Sequence, residues 1–447
     1  MFVCGPTVYD YSHLGHARVF VFFDTVARYL RWLGYAVFYI VNITDVDDKI
    51  VNRAREKGKH PLELAREFEE YFMEDMLALN VTSPNLYPRA SDYLKEIFWQ
   101  IEELLRKGYA YITPTGVYYD IRRFHDYGKL SGRRPEELVV HRIEPDPTKK
   151  NPGDFALWRV RPKEEFGWDS PWGYGRPGWH IEDTAITLRH FGPQYDIHGG
   201  AVELMFPHHE AEIAQAEAIT GLKPFVRYWI HVGLLTVEGK KMSKSIGNVV
   251  TIREALKKYD ANTIRLFILS THYRSPLDFR WELLDSAAKS VSRLITAVSR
   301  LKQLDIVETT QGSDEERLVS EAVGAMKGFV DSMNSDLNTA AALSHIFKLV
   351  NTVNDYINKH SRISKDGFGK VYRVFKNAFD ILGLKVEEEV STDITDLIQL
   401  IVDVRSKLRA RKMWDLADEI RAKLKELGIE LQDTTSGTRW ILRKRRT

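Results

Sequence analysis

The chain has 447 residues, 44% of them apolar and 28% charged, with a formal net charge of +2. That length suggests roughly three domains of about 150 residues each, and that composition excludes a chain dominated by disorder. No run approaches the roughly 20 apolar residues that span a bilayer, and the N-terminus lacks the basic and apolar regions of a signal peptide, so a cytoplasmic protein without a membrane segment is expected.

The first elements alternate. Residues 1–4 are β-type, Gly5-Pro6 marks a turn, residues 16–33 suit a helix ended by Gly34, and residues 35–43 form a β-branched and aromatic run. A strand-helix-strand unit implies a parallel sheet with a right-handed crossover, and such sheets bind ligands at their carboxyl edge. The acidic run Asp45, Asp47 and Asp48 reads as a helix cap. Residues 90–177 look inserted, with a helix at 93–107, a hairpin around Gly116 and a loop-rich stretch at 145–177. Alternation then resumes as a strand at 195–198, a helix at 207–219 ending at Gly221, and a strand at 228–237. From residue 252 onward the 3.6-residue period dominates, with breaks near 311–314, 364–369 and 387–391. Residues 401–447 carry 13 Lys+Arg against 7 Asp+Glu. That excess fits a polyanionic partner, although a solvated helical surface would look similar.

Four groups of residues carry chemistry. Cys4 is the single cysteine, which excludes an internal disulfide and leaves an inert thiol, a nucleophile or a metal ligand. His13-Leu14-Gly15-His16 places two histidines three apart at a helix start, where they share a face and Gly15 lets a ligand approach the backbone. Helix N-termini attract phosphate, and histidine donors there would stabilise charge building on an α-phosphate; taken alone, the segment also reads as a surface turn. Residues 239–248 form a glycine-bounded loop with Lys240, Lys241 and Lys244, suited to closing over a triphosphate, although a lone lysine-rich loop is more often a solvated connection. His208 and Glu212, at i and i+4, can reach one metal from one helix face.

Together, His13-Leu14-Gly15-His16 resembles the HIGH signature and Lys241-Met242-Ser243-Lys244-Ser245 the KMSKS signature of class I aminoacyl-tRNA synthetases. Residues 3–9, 41–49, 170–182, 196–200, 206–215 and 270–277 make the chain similar to the cysteinyl-tRNA synthetase family along nearly its whole length. The resemblance implies an α/β protein. It comprises a Rossmann-like parallel-sheet catalytic domain in two halves, 1–95 and 178–275, around a connective domain, 96–177; a helical bundle, 276–388, and an anticodon-binding module, 389–447, complete it.

It also implies the chemistry: ATP-dependent formation of cysteinyl-adenylate and transfer to tRNA(Cys), with Mg²⁺ accompanying ATP and one Zn²⁺ per chain. His13, His16, Lys241 and Lys244 are then catalytic, and Gly5, Thr7, Tyr9, Gly15, His198, Gly199, Ser243 and Lys244 contact ATP or adenylate. Thr44, Trp179 and Glu203 line the cysteine pocket, Glu203 holding the α-ammonium. Cys4, His208 and Glu212 are zinc ligands of the family, and Asp183 stands where relatives have a second cysteine. An aspartate oxygen is an acceptable zinc ligand, so a Cys4-Asp183-His208-Glu212 site with the substrate thiolate as added ligand is expected. Asp433, Arg439 and an exposed Trp440 are expected at the anticodon, with the basic run 443–446 attracting the backbone. A monomer is expected. Relatives carry a further segment before Cys4, which implies a truncated start. Rival readings are a cysteine ligase that passes cysteine to a small amine, and a non-catalytic tRNA-binding paralogue.

Overall fold

In the computed structural model, which describes residues 1–133, 146–242, 246–309, 312–385, 392–434 and 437–442, the chain divides into two units. They are Met1–Ile252 with Tyr273–Phe279, and Arg253–His272 with Arg280–Thr447.

The first unit opens as a strand-helix-strand element, β1 (Phe2–Val3), α1 (Leu14–Trp32) and β2 (Ile40–Val41). α1 buries apolar residues on nearly every face, as a helix covered on all sides must. α2 (Asp48–Lys57) and α3 (Pro61–Ala78) follow, and Asp47 caps α2 by accepting the Lys49 N–H at 2.7 Å. α4 (Leu94–Arg106) leads into an antiparallel sheet of β3 (Ala110–Thr113), β4 (Gly116–Tyr119), β5 (Phe155–Val160) and β6 (Gly175–Pro177), in that order. β5 and β6 lie inside the stretch expected to be loop-rich. The strand β5 is fixed by pairing with the β3–β4 hairpin and by burial of Phe155, Leu157 and Trp158.

α5 (Ile181–Phe191), β7 (Tyr195–Ala201), α6 (Glu210–Thr220) and β8 (Val226–Val232) return the chain to the first sheet, whose order β2-β1-β7-β8 is parallel throughout. Connections leave β1 towards β2 and β7 towards β8, so the crevice at the strands' carboxyl ends opens between β1 and β7. β9 (Leu235–Val237) pairs antiparallel with β10 (Lys240–Lys241) and parallel with β11 (Leu277–Phe279). Two expected strands are shorter. Only Ile40 and Val41 of residues 35–43 pair in β2, because Tyr35 and Phe38 face solvent. Residues 228–237 break at Gly233, where a side chain would meet the Arg274 and Ser275 carbonyls at 2.7 Å.

The second unit is mainly helical: α7 (Ile252–Leu256), α8 (Ala261–Leu269), α9 (Trp281–Lys302), α10 (Ser313–Asn334), α11 (Thr339–Lys359) and α12 (Lys365–Leu382). Short parallel strands β12 (Asp305–Val307) and β13 (Arg362–Ser364) pair between them. The expected break at 364–369 is confined to its first residue, since Ser364 caps α12 by accepting the Gly367 N–H at 2.9 Å. The expected break at 387–391 lies outside the described residues. α13 (Thr392–Ala410), α14 (Trp414–Glu426) and the hairpin β14 (Ile429–Thr434) and β15 (Gly437–Leu442) close on a small core of Ile398, Val402, Leu424, Ile429 and Leu431. Among the described residues, no helix is long and apolar enough to cross a membrane.

Candidate active site

The crevice between β1 and β7 contains a buried cluster of metal-ligating groups. Parallel pairing sets Phe2 beside His198 and Val3 beside Gly199, and the Cys4 N–H donates to Gly199 O at 3.0 Å. Cys4 Sγ therefore emerges at the carboxyl edge, 3.3 Å from Asp183 Oδ2 on α5 and 4.0 Å from Glu212 Oε1 on α6. His208 Nε2 lies 3.0 Å from Asp183 Oδ2 and 3.3 Å from Glu212 Oε1. The four residues expected at the metal stand together, with one donor atom from each within 4.8 Å of the others.

A second set overlaps the first. Cys4 and Glu212 also meet His198 and His209, whose Nε2 atoms lie 3.3 and 3.2 Å from Cys4 Sγ. His209 Nδ1 is 2.8 Å from His231 Nε2, and His198 Nδ1 is 2.5 Å from Tyr195 Oη. Sequence reasoning missed His209 and His231 and expected His198 at the nucleotide. The structure instead buries His198 in the donor cluster, stacked against Trp229 with ring centroids 4.5 Å apart, because its partner across the β1–β7 pairing is Phe2. The doubled histidine His208-His209 was the available signal.

The chemistry of the donors calls for a cation. Burial first, then the nearby Asp183 and Glu212 carboxylates, pushes the Cys4 thiol well up. Burial and Asp183 likewise raise Glu212, whose Oε2 has no hydrogen-bond partner. Two carboxylates and a thiol in one dry pocket cannot all ionise without a compensating positive charge. His180, His198 and His209 do not supply it, since burial holds them well below the ordinary histidine range. The cluster can hold a metal ion.

These histidines make stability depend on pH. Burial, then Arg274, lowers His231 to about 4. Its folded value lies below its unfolded one, so the unfolded chain takes up the proton first as pH falls. The His231 contribution to stability is full above about pH 6.5 and declines towards pH 4. Between about pH 7 and about pH 5 the metal-free parent is expected to lose melting temperature relative to His231→Gln. Scanning calorimetry at the two pH values checks this, and equal slopes for variant and parent would contradict it.

The second feature is the meeting of the histidine turn with the lysine loop. His13 caps α1, its Nδ1 accepting the His16 N–H at 3.3 Å, while His16 Nδ1 accepts the His13 N–H at 3.4 Å. The two rings stack 3.8 Å apart at 10°. With Nδ1 accepting in both, the neutral imidazoles carry their protons on Nε2. The chain just beyond the loop pairs with this turn: His13 bridges Thr251, the Leu14 N–H donates to Val250 O at 3.0 Å, and Ile252 to Ser12 O at 2.9 Å. A methyl group on Gly15 would lie 2.9 Å from the His13 ring and 3.3 Å from Met242 Cε. Buried Arg18, one turn along α1, donates to the carbonyls of Leu234 and Ser275 and so ties the same helix to the strands that support the loop. Lys241 pairs with Glu203. Ser243 and Lys244 lie outside the described residues.

The other expected residues divide. Thr44 is buried beside Cys4's strand, with Thr7 bridging it. Trp179 is 38% exposed and stacks on His208 with centroids 4.4 Å apart, so it is a wall beside the donor cluster. Glu203, expected to hold an α-ammonium, has Lys241 as its partner. A side chain on Gly5 would strike Asn42 O at 1.5 Å, and one on Gly199 would strike the Phe23 ring at 2.0 Å, so close packing requires glycine at both positions. Tyr9 is half-buried, with Lys49 Nζ 5.8 Å from its ring centre.

In the second unit the expectation of an exposed Trp440 is corrected. It is half-buried against the module's own core, because β14–β15 register sets it opposite buried Leu431. The Asp433 carboxylate is gripped by Arg405 at 2.9 and 3.0 Å and by Arg409 at 2.6 Å, which holds it well below the usual carboxylate range. Arg439 is half-buried. Among the described residues of this unit, the exposed aromatic is Trp414, 52% accessible, with the Arg409 guanidinium 5.7 Å from its ring centre. The run 443–446 lies outside the described residues.

Comparison with known proteins agrees with this geometry. Residues 1–289 match the model of the tRNA synthetases class I (C) catalytic domain, and residues 328–387 that of the DALR domain. Among solved structures, Mycobacterium tuberculosis methionyl-tRNA synthetase bound by methionyl-adenylate superposes with a TM-score of 0.61 at 15% identity, over 85% of this chain and 89% of that one. Thermus thermophilus arginyl-tRNA synthetase gives 0.57 at 15%, over 87% and 82%. Such distant likenesses show the fold alone. The catalytic-domain match, spanning the Cys4 donor cluster and the histidine turn, places the chain among class I aminoacyl-tRNA synthetases.

Curated relatives narrow the class. The chain is 47% identical to the cysteine-tRNA ligase of Thermococcus onnurineus, over 98% of this chain and 94% of the relative. It is 44% identical to that of Carboxydothermus hydrogenoformans and 43% identical to that of Aquifex aeolicus, each over at least 98% of this chain and 94% of the relative. It belongs to the cysteine-tRNA ligase family.

Proposed function

We propose that the protein activates L-cysteine with ATP to cysteinyl-adenylate and transfers the cysteinyl group to the 3′-terminal ribose of tRNA(Cys). The observation that carries this reading is the approach of Met242, in the lysine loop, to Gly15 in the histidine turn of the same unit that buries the Cys4 cluster. In the first step a cysteine carboxylate oxygen attacks the α-phosphorus of Mg²⁺-ATP, the α–β phosphoanhydride bond breaks, and pyrophosphate leaves. His13 and His16 donate from Nε2 to the oxygens that gain charge, at the end of α1 whose dipole favours an anion. Lys241 and Lys244 neutralise the leaving pyrophosphate. In the second step a ribose hydroxyl, the 2′ by the habit of the class, attacks the acyl carbon and AMP leaves.

Cys4, Asp183, His208 and Glu212 are the residues that would hold zinc, and Thr44 and Trp179 would border the side chain of the substrate. When bound, zinc supplies a Lewis acid that takes a thiolate in preference to a hydroxyl, a stronger discriminator than pocket contacts between near-isosteres. Asp183→Ala is expected to lower zinc content well below one per chain. Metal analysis of the purified variant checks this, and unchanged zinc would remove Asp183 from the donors. The connective segment 96–177, bundle 276–388 and module 389–447 are assigned as separate domains, with the last reading the anticodon through its basic surface, and the enzyme is assigned as a cytoplasmic monomer.

Aminoacylation of a tRNA(Cys) transcript with labelled cysteine tests the function. Charging is the expected result. Cysteine-dependent pyrophosphate exchange without charging would instead indicate a ligase for a small amine, and the lack of both a non-catalytic tRNA-binding protein.

A further inference from the structure

Asn42, just past β2, uses both ends of its amide beside the metal cluster. Its Oδ1 accepts the Gly5 N–H at 2.6 Å, and its Nδ2 donates to Asp183 Oδ1 at 2.7 Å, with Thr44 Oγ1 at 3.4 Å. The direction of the amide is fixed by chemistry, because a backbone N–H only donates and a carboxylate only accepts. Packing fixes it too: Asn42 is 1% exposed, and its backbone lies against Gly5 so closely that no Cβ fits there. Asp183 is thereby held by one oxygen. The other, Oδ2, is the one that faces Cys4 Sγ at 3.3 Å and His208 Nε2 at 3.0 Å.

We propose that Asn42 is a positioning residue of the metal centre, fixing which oxygen and which lone-pair direction Asp183 offers to the ion. The proposal rests on the reading of Asp183 as a donor. A one-oxygen carboxylate ligand is free to rock about its Cβ–Cγ bond unless the second oxygen is tied, and Asn42 is the tie. Hydrogen-bond partners of metal ligands set ligand orientation, and losing one typically weakens the metal about 10 to 100-fold.

The test is zinc affinity by competition with a chromophoric chelator, measured for the full chain, Asn42→Ala, Asp183→Ala, the double variant and Cys4→Ala, each with its melting temperature. Asn42→Ala is expected to weaken zinc about 10 to 100-fold alone and to add no weakening to Asp183→Ala. Its melting temperature should fall in both backgrounds, because Gly5 loses its acceptor in each. Asn42→Asp keeps an acceptor for Gly5 but faces Asp183 with an oxygen, so it should weaken zinc while retaining a folded protein. Normal zinc affinity in both Asn42 variants, or a further loss in the double variant, would overturn the proposal while the donor set stands. Normal affinity in Asp183→Ala and Cys4→Ala would overturn the donor set itself.

Discussion

Cys4→Ala is expected to leave the purified protein without stoichiometric zinc and to reduce discrimination against serine to about 10 to 200-fold, the range ordinary contacts give between near-isosteres. Cys4 supplies the one thiol of the chain. Its sulfur lies within 3.3 Å of atoms on Asp183, His198 and His209, so no neighbouring side chain can take its place without moving. With the thiol gone, Asp183 and Glu212 remain as two carboxylates in a buried pocket, and at least one would hold a proton rather than a metal. Metal analysis and paired exchange assays with cysteine and serine report the two effects separately. A variant with full zinc and unchanged discrimination would contradict the assignment.

His16→Ala is expected to lower cysteine-dependent ATP-pyrophosphate exchange by about 10² to 10³-fold, the usual cost of removing one donor to a developing oxyanion. KM for cysteine should change little, because in the proposed reading the histidine turn meets the phosphate and the Cys4 cluster the sulfur. His13→Ala should combine a similar rate loss with about 1 kcal/mol of lost stability, since His13 also caps α1 through its Nδ1. His16→Ala also gives up its own bond to the His13 N–H, so steady-state exchange kinetics report the rate loss in each variant and thermal melts the capping loss in each. Equal rates for His16→Ala and the parent would remove it from the phosphate.

Local signals in the chain anticipated part of this site. The spacing of His208 and Glu212 reads directly as one helix face, and the two signature segments are continuous in sequence. Asp47 as a cap was equally plain, since its side chain serves the N–H two residues on. What depended on register was hidden. His198 joins the sulfur because β7 pairs with β1 at Phe2, 196 positions away in the chain, and no local pattern encodes that neighbour. Asn42 is silent for the same reason, as its partners Gly5 and Asp183 come from two other elements. Trp440 misled because arginine and threonine neighbours make a residue look exposed, whereas the pairing of β15 with Leu431 turns it inward. The aromatic that does face solvent beside an arginine, Trp414, sits at a helix start where sequence offered no reason to prefer it.

Selection of sulfur at the β1–β7 crevice is what would make adenylate formation specific for cysteine. Its most direct test is ATP-pyrophosphate exchange by the zinc-loaded protein with saturating cysteine or serine as the sole amino acid. Exchange with cysteine, and a serine rate lower by more than the roughly 200-fold that ordinary contacts provide, is the result predicted. Comparable exchange with serine, or none with cysteine, would contradict it.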